Sequence, residues 1–88
     1  MFTELKYKLK NKIFSTVLKL EESDDDKTVV QKIEEAILIH QCGVSTASEF
    51  QCVGIKIEYG DGETTKEIDK SKLSDAIILV EIEKKKEI

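Results

Sequence analysis

The sequence predicts a two-layer α+β fold. One helix packs on a four- to five-stranded mixed sheet, with element order β-β-α-β-β-β in a single domain spanning residues 1–88. Three observations carry this. Residues 4–10 alternate apolar and polar with a period of two, and residues 27–42 repeat apolar side chains at helical spacing. The last apolar segment, Ala76–Ile82, is dense in β-branched residues. With 88 residues, 40% of them hydrophobic, the chain has material for one small core and no more.

The first element rests on Leu5, Tyr7 and Leu9, which alternate with Lys6, Lys8 and Lys10. Ile13–Leu20 is also strand-prone. A two-residue loop at Asn11-Lys12 sets Leu9 opposite Phe14, Tyr7 opposite Thr16 and Leu5 opposite Leu18, so that one face is apolar throughout. The same pairing sets Glu4 opposite Lys19. Leu5, Leu9, Ile13, Val17 and Leu20 also recur at near-helical spacing, so a helix over this segment is the competing reading.

Residues 27–42 form the strongest helix pattern. Val29, Val30, Ile33, Ala36, Ile37 and His40 lie on one stripe. Acidic residues precede the first turn, where they suit the helix dipole. Asp26 or Thr28 can cap the start, and Gly43 suits the end. Residues 43–51 carry no pattern and read as a loop. Val53, Ile55, Ile57 and Tyr59 alternate with Gly54, Lys56 and Glu58 as a strand, and Asp61-Gly62 is a hairpin turn. That turn sets Tyr59 opposite Thr64, Ile55 opposite Ile68 and Lys56 opposite Glu67, making Thr64–Asp69 a short polar edge strand. Residues 70–75 read as a polar turn. Ala76–Ile82 is apolar on both faces at its start, as in an interior strand, with a terminal helix as its rival.

Charge is unevenly spread. All 14 basic residues are Lys, and residues 1–20 hold five of them against Glu4 alone. Residues 21–63 hold eleven acids against three Lys. The net charge of −4 and the lack of Arg argue against nucleic acid as a partner, because Arg is the residue best suited to phosphate and guanine recognition. No apolar run is long enough to cross a membrane, and no secretory leader pattern is present. A cytoplasmic protein with reduced thiols is the expectation.

No motif for catalysis, cofactor or metal emerges. Cys42 and Cys52 lie ten residues apart, with neither a Cys-x-x-Cys nor a second pair to complete a zinc site, even if His40 and Glu49 are added. A bridge between them is conceivable, although two reduced thiols suit the expected compartment better. His40 and Cys42 are two apart on a helix and do not share a face, which argues against a Cys–His nucleophile. The run Glu21, Glu22, Asp24, Asp25, Asp26 has Val29 where a calcium loop beginning at Asp24 needs Gly. Gly60-Asp61-Gly62 lacks the strand–loop–helix context of a phosphate loop. These acids either cap a helix or offer Asp24, Asp25 and Asp26 to a basic partner. Lys6, Lys8 and Lys10 either solvate a strand face or contact an acidic partner.

The order of hairpin, helix and further strands resembles the β-grasp architecture in topology. The chain ends Lys-Lys-Lys-Glu-Ile, without the C-terminal Gly-Gly that ubiquitin-like and sulfur-carrier members use, so no carrier chemistry is carried over. The functional expectation is a non-enzymatic module that binds another protein. Its candidate surfaces are Ile13, Ser15 and Val17, the Lys6–Lys8–Lys10 ladder, and Asp24–Asp26. A homodimer through the strand Ile13–Leu20 is a second form of the same reading. The Lys- and Ile-rich composition suits a viral or mobile-element accessory protein that inhibits a host protein. The alternatives are a binder of a small anionic ligand such as a nucleotide and, less well founded, a Cys/His enzyme.

Overall fold

The computed structural model of the chain describes residues 1–60, 62–65 and 67–86. The element order is β1 (Phe2–Leu9), β2 (Lys12–Lys19), α1 (Asp26–Cys42), a 3-10 turn (Ala47–Glu49), β3 (Phe50–Glu58), β4 (Thr64–Thr65), a 3-10 helix (Lys70–Asp75) and β5 (Ile77–Lys84). The five strands form one mixed sheet in the order β2-β1-β5-β3-β4. β1 and β5 run parallel at its centre, and the other neighbours are antiparallel. One main helix lies on this sheet, an α+β fold of β-grasp-like order.

The β1–β2 hairpin forms, and its register differs from the sequence expectation. The turn is Lys10-Asn11, both at positive φ (49° and 66°), as the tight hairpin turn that matches strand twist requires. Tyr7 therefore stands opposite Phe14, Leu5 opposite Thr16, and Glu4 opposite Val17 rather than Lys19. The shift moves each partner by two positions, so every side chain keeps its face. Two gains select this register. The Tyr7 and Phe14 rings stack with centroids 5.3 Å apart, and the ladder runs on to Met1 and Leu20 through hydrogen bonds of 3.1 and 2.8 Å.

α1 begins where Asp25 accepts a hydrogen bond from the Thr28 N–H at 2.8 Å, so the cap is Asp25 rather than Asp26 or Thr28. It ends at Gly43, φ 83°, whose N–H reaches the Ile39 carbonyl. Val29, Ile33 and Ile37 are buried. They meet Leu5, Tyr7, Leu18, Ile57 and Ile78 in the core, with Leu9, Phe14 and Ile55 partly buried against it. His40, expected on the buried stripe, is exposed.

The middle of the chain departs most from expectation. β3 starts at Phe50, inside the stretch read as a loop. Its register against β5 shifts between Val53 and Lys56, where Gly54 takes φ 67°. This is a bulge: one extra residue swaps the inward positions from Cys52 to Ile55 and Ile57, and turns Val53 outward. At the next turn Tyr59 exchanges backbone hydrogen bonds with Glu63 and Gly62, and β4 pairs Glu58 with Thr64 and Ile57 with Thr65. Thr64 thus pairs with Glu58 rather than with Tyr59, one residue from the expected register, and the described ladder stops short of the expected Ile55–Ile68 and Lys56–Glu67 pairs. Two residues make the strand rather than Thr64–Asp69, and Asp61 of the expected turn lies outside the described residues. Residues 70–75 wind into a 3-10 helix that buries Leu73. It starts at Asp69, whose carboxylate accepts from the Ser71 N–H and hydroxyl.

Candidate functional site

The hairpin gathers six of the nine residues singled out in the sequence. Ile13, Ser15 and Val17 point outward from β2, and Ile13 and Val17 are 61% and 63% exposed. Lys8 stands directly opposite Ile13, and Lys6 opposite Ser15, on the same outward face. Lys10 occupies the turn. β2 is an edge strand of eight residues, so half of its backbone donors and acceptors face away from the sheet. Its pairing with β1 is continuous, without a bulge. The opposite edge is closed by the two-residue β4.

Two of the three aspartates are used internally. Asp24 accepts from Lys32 Nζ at 2.5 Å and from the Glu21 N–H at 2.8 Å. These bonds, the Lys32 bond first, hold its carboxyl below the usual range. Asp25 caps α1, and its hydrogen bonds to Thr28 likewise lower its pKa. Lys70 Nζ donates to the carbonyls of Glu22 and Asp24, at 3.1 and 2.5 Å, and ties the 3-10 helix to this connection. Asp26 is exposed in the first helical turn. The acidic run thus builds the β2–α1 corner and stands apart from the Lys ladder.

The sequence reading missed a polar cluster under the end of α1. Tyr7 is fully buried, and its hydroxyl meets His40 Nδ1 and accepts from Gln41 Nε2 at 2.6 Å. The one phenol oxygen thus ties together two side chains of the last helical turn, His40 and Gln41. The His40 ring stands edge-on to Tyr7 and Phe14, at 5.8 and 6.3 Å. The only sequence signals were a Tyr at an inward strand position and a His on the helix stripe. Cys52 lies beneath the same helix, its thiol donating to the Glu34 carbonyl at 3.8 Å. Burial pushes its pKa up to about 11, which keeps it protonated at neutral pH and unsuited to attack. Cys42 and Cys52 are both free thiols. Among the described residues, no three His, Cys, Asp or Glu side chains are grouped to hold a metal ion.

A shallow hollow of about 690 Å³ opens between Met1–Thr3, Leu20–Glu22 and the 3-10 helix. It offers little to an anion. Glu21 and Glu22 line it, and its one Lys, Lys70, is spent on backbone carbonyls. A second groove, about 400 Å³, runs between β2 and α1. No helix among the described residues is long and apolar enough to cross a membrane.

Set against family models, curated proteins and solved structures, the chain matches none. Function is therefore argued from surface geometry and charge.

Proposed function

We propose that the protein is a small non-enzymatic module that binds another protein through its β1–β2 hairpin. The observation that carries this reading is the open edge of β2, with Ile13 and Val17 more than half exposed beside a ladder of Lys. Soluble chains usually guard such an edge with a charge at its centre, a proline or a bulge, and β2 has Ser15 there instead. The protonated, half-buried Cys52 and the structural roles of Asp24 and Asp25 favour binding over catalysis. Two free thiols support a reducing, cytoplasmic setting, and the size and composition fit an accessory protein of a virus or mobile element whose target is a host protein.

Site-specific crosslinking tests this. A photoreactive side chain at position 17 and another at position 34, on α1, are compared in lysate of the source or host cell. A discrete protein adduct at position 17 and none at position 34 is the expected result. Adducts at position 34 alone would move the contact surface to the helix.

A further inference from the structure

The hairpin, its edge and the neighbouring groove together define what kind of segment would fit. Resting on the protein-binding reading, we propose that the occupant of β2 is an extended segment of another protein, with about five apolar residues flanked by acidic ones. It adds to β2 as a further strand and drops alternate side chains into the groove between β2 and α1.

Three observations set this chemistry. The outward backbone groups of β2 are satisfied best by another strand, since a folded surface lacks the matching row of donors and acceptors. Ile13 and Val17 lie four residues apart, about 13 Å along a strand, which an apolar run of five residues spans from its first position to its fifth. Side chains alternate along an added strand. Three of the five would cover Ile13, Ser15 and Val17, and the other two would face the helix side, the one nearer Val17–Lys19 entering the groove, where Ala36 and Ile39 supply the apolar lining. Glu21 and Glu35 line that groove together with Lys19 and Lys32, and Lys32 is paired with Asp24, so the groove has no excess positive charge to attract acids in the middle of the segment.

Charge places the acids at the flanks. At the turn end of β2, Lys8, Lys10 and Lys12 have no carboxylate partner among the described residues. At the far end Lys19 is held only over the Phe2 ring, 5.9 Å from its centroid. A second copy of this chain fits the edge less well. Pairing β2 with itself sets two hairpins, each with five Lys against one Glu, side by side.

The test uses the full chain and a fluorescein-labelled peptide, Glu-Glu-Glu-Val-Ile-Val-Ile-Val-Glu-Glu-Glu, followed by fluorescence anisotropy and by hydrogen exchange of the protein. Saturable binding is expected, with slowed exchange at the amides of β2. Val17→Asn, at an exposed position, should weaken binding about tenfold, with Ile13→Asn as the second variant and unchanged melting of both as the control. Raising salt from about 50 to 500 mM should weaken it markedly, because the flanking charges are solvent-exposed. Proline at the second and fourth apolar positions of the peptide should abolish it. Binding that ignores Val17→Asn, or that leaves β2 exchange unchanged, overturns the proposal. Absence of peptide binding alongside a protein adduct at position 17 overturns it in favour of a folded partner and leaves the protein-binding reading standing. A dimer in light scattering that Val17→Lys dissociates, with no peptide binding, assigns the edge to a second copy. Absence of peptide binding, adduct and dimer overturns both readings.

Discussion

Tyr7 of β1 and His40 of α1 meet across the sheet–helix interface, the buried phenol hydrogen-bonded to the exposed imidazole with Gln41 as its second partner. This pins the last helical turn to the centre of the sheet. Tyr7→Phe keeps the stack on Phe14 and leaves His40 and Gln41 free to turn to water, so it should cost about 1 kcal/mol. Tyr7→Ala removes a fully buried ring and should cost about 3–5 kcal/mol. Urea denaturation of both variants measures the difference, and a Phe variant as damaged as the Ala variant would show that the hydrogen bonds carry the contact.

The split between what the sequence disclosed and what it concealed follows from the range of the signals. Period-two alternation and a helical stripe are local, so β1, β2, α1 and β5 were legible, and with them the outward faces of Ile13, Val17, Lys6 and Lys8. The hairpin register was not, because a two-residue shift leaves each face unchanged, and what distinguishes the two pairings is the stacking of Phe14 on Tyr7 and the added rungs between Met1 and Leu20. Thr64–Thr65 and Leu73 were misread for a different reason. A strand of two residues and a single buried Leu in a polar turn depend on neighbours distant in sequence. Of the candidate surface, Asp24 was the least readable, since its partners Lys32 and Lys70 come from separate elements.

The core gives the next test. Ile37 is fully buried on α1 against the sheet. Ile37→Ala should cost roughly 2–4 kcal/mol, a large share of the stability of so small a domain. A loss below about 0.5 kcal/mol in chemical denaturation would contradict its place in the core.

The alternation around Gly54 reads as an unbroken strand, and the structure makes Gly54 the hinge of the bulge. Its φ of 67° is unfavourable for a side chain, and a Cβ there would have no atom within 4 Å. The cost of Gly54→Ala is therefore conformational alone, about 1–2 kcal/mol, and Asn should recover part of it. Equal stability of all three proteins would mean that the bulge relaxes away.

Cys52 predicts an alkaline limb in stability. Its pKa is about 11 in the folded chain against 9.0 for a free thiol, so the folded state favours the protonated form. Stability from this source is full below pH 9.0 and is lost as pH rises towards 11. Burial raises the pKa of Tyr7 as well, which adds in the same direction. Cys52→Ala should flatten part of that limb in denaturation curves taken between pH 8 and 11 while leaving the neutral-pH slope unchanged. In the native protein the Cys52 thiol should resist a maleimide at pH 7 and react on unfolding, as mass spectrometry would show. With both cysteines free, reductant should leave the melting temperature unchanged.

Self-association is the last consequence of the hairpin's charge. A two-fold pairing of β2 centred on Ser15 sets Ile13 opposite Val17 of the second copy, an apolar match that favours a dimer. The same pairing sets Lys19 beside Asn11 and Lys12 of the other hairpin, and the lysines repel across the seam. At low ionic strength the unscreened repulsion should win, and light scattering should report a monomer across a wide concentration range. In about 1 M salt the screening length falls to about 3 Å, and the apolar match is left to act. Any dimer should therefore appear on adding salt and disappear with Val17→Lys. A dimer that is strongest at low salt would show that opposite charges meet in the interface, most simply the acidic β2–α1 corner of one copy on the Lys ladder of the other.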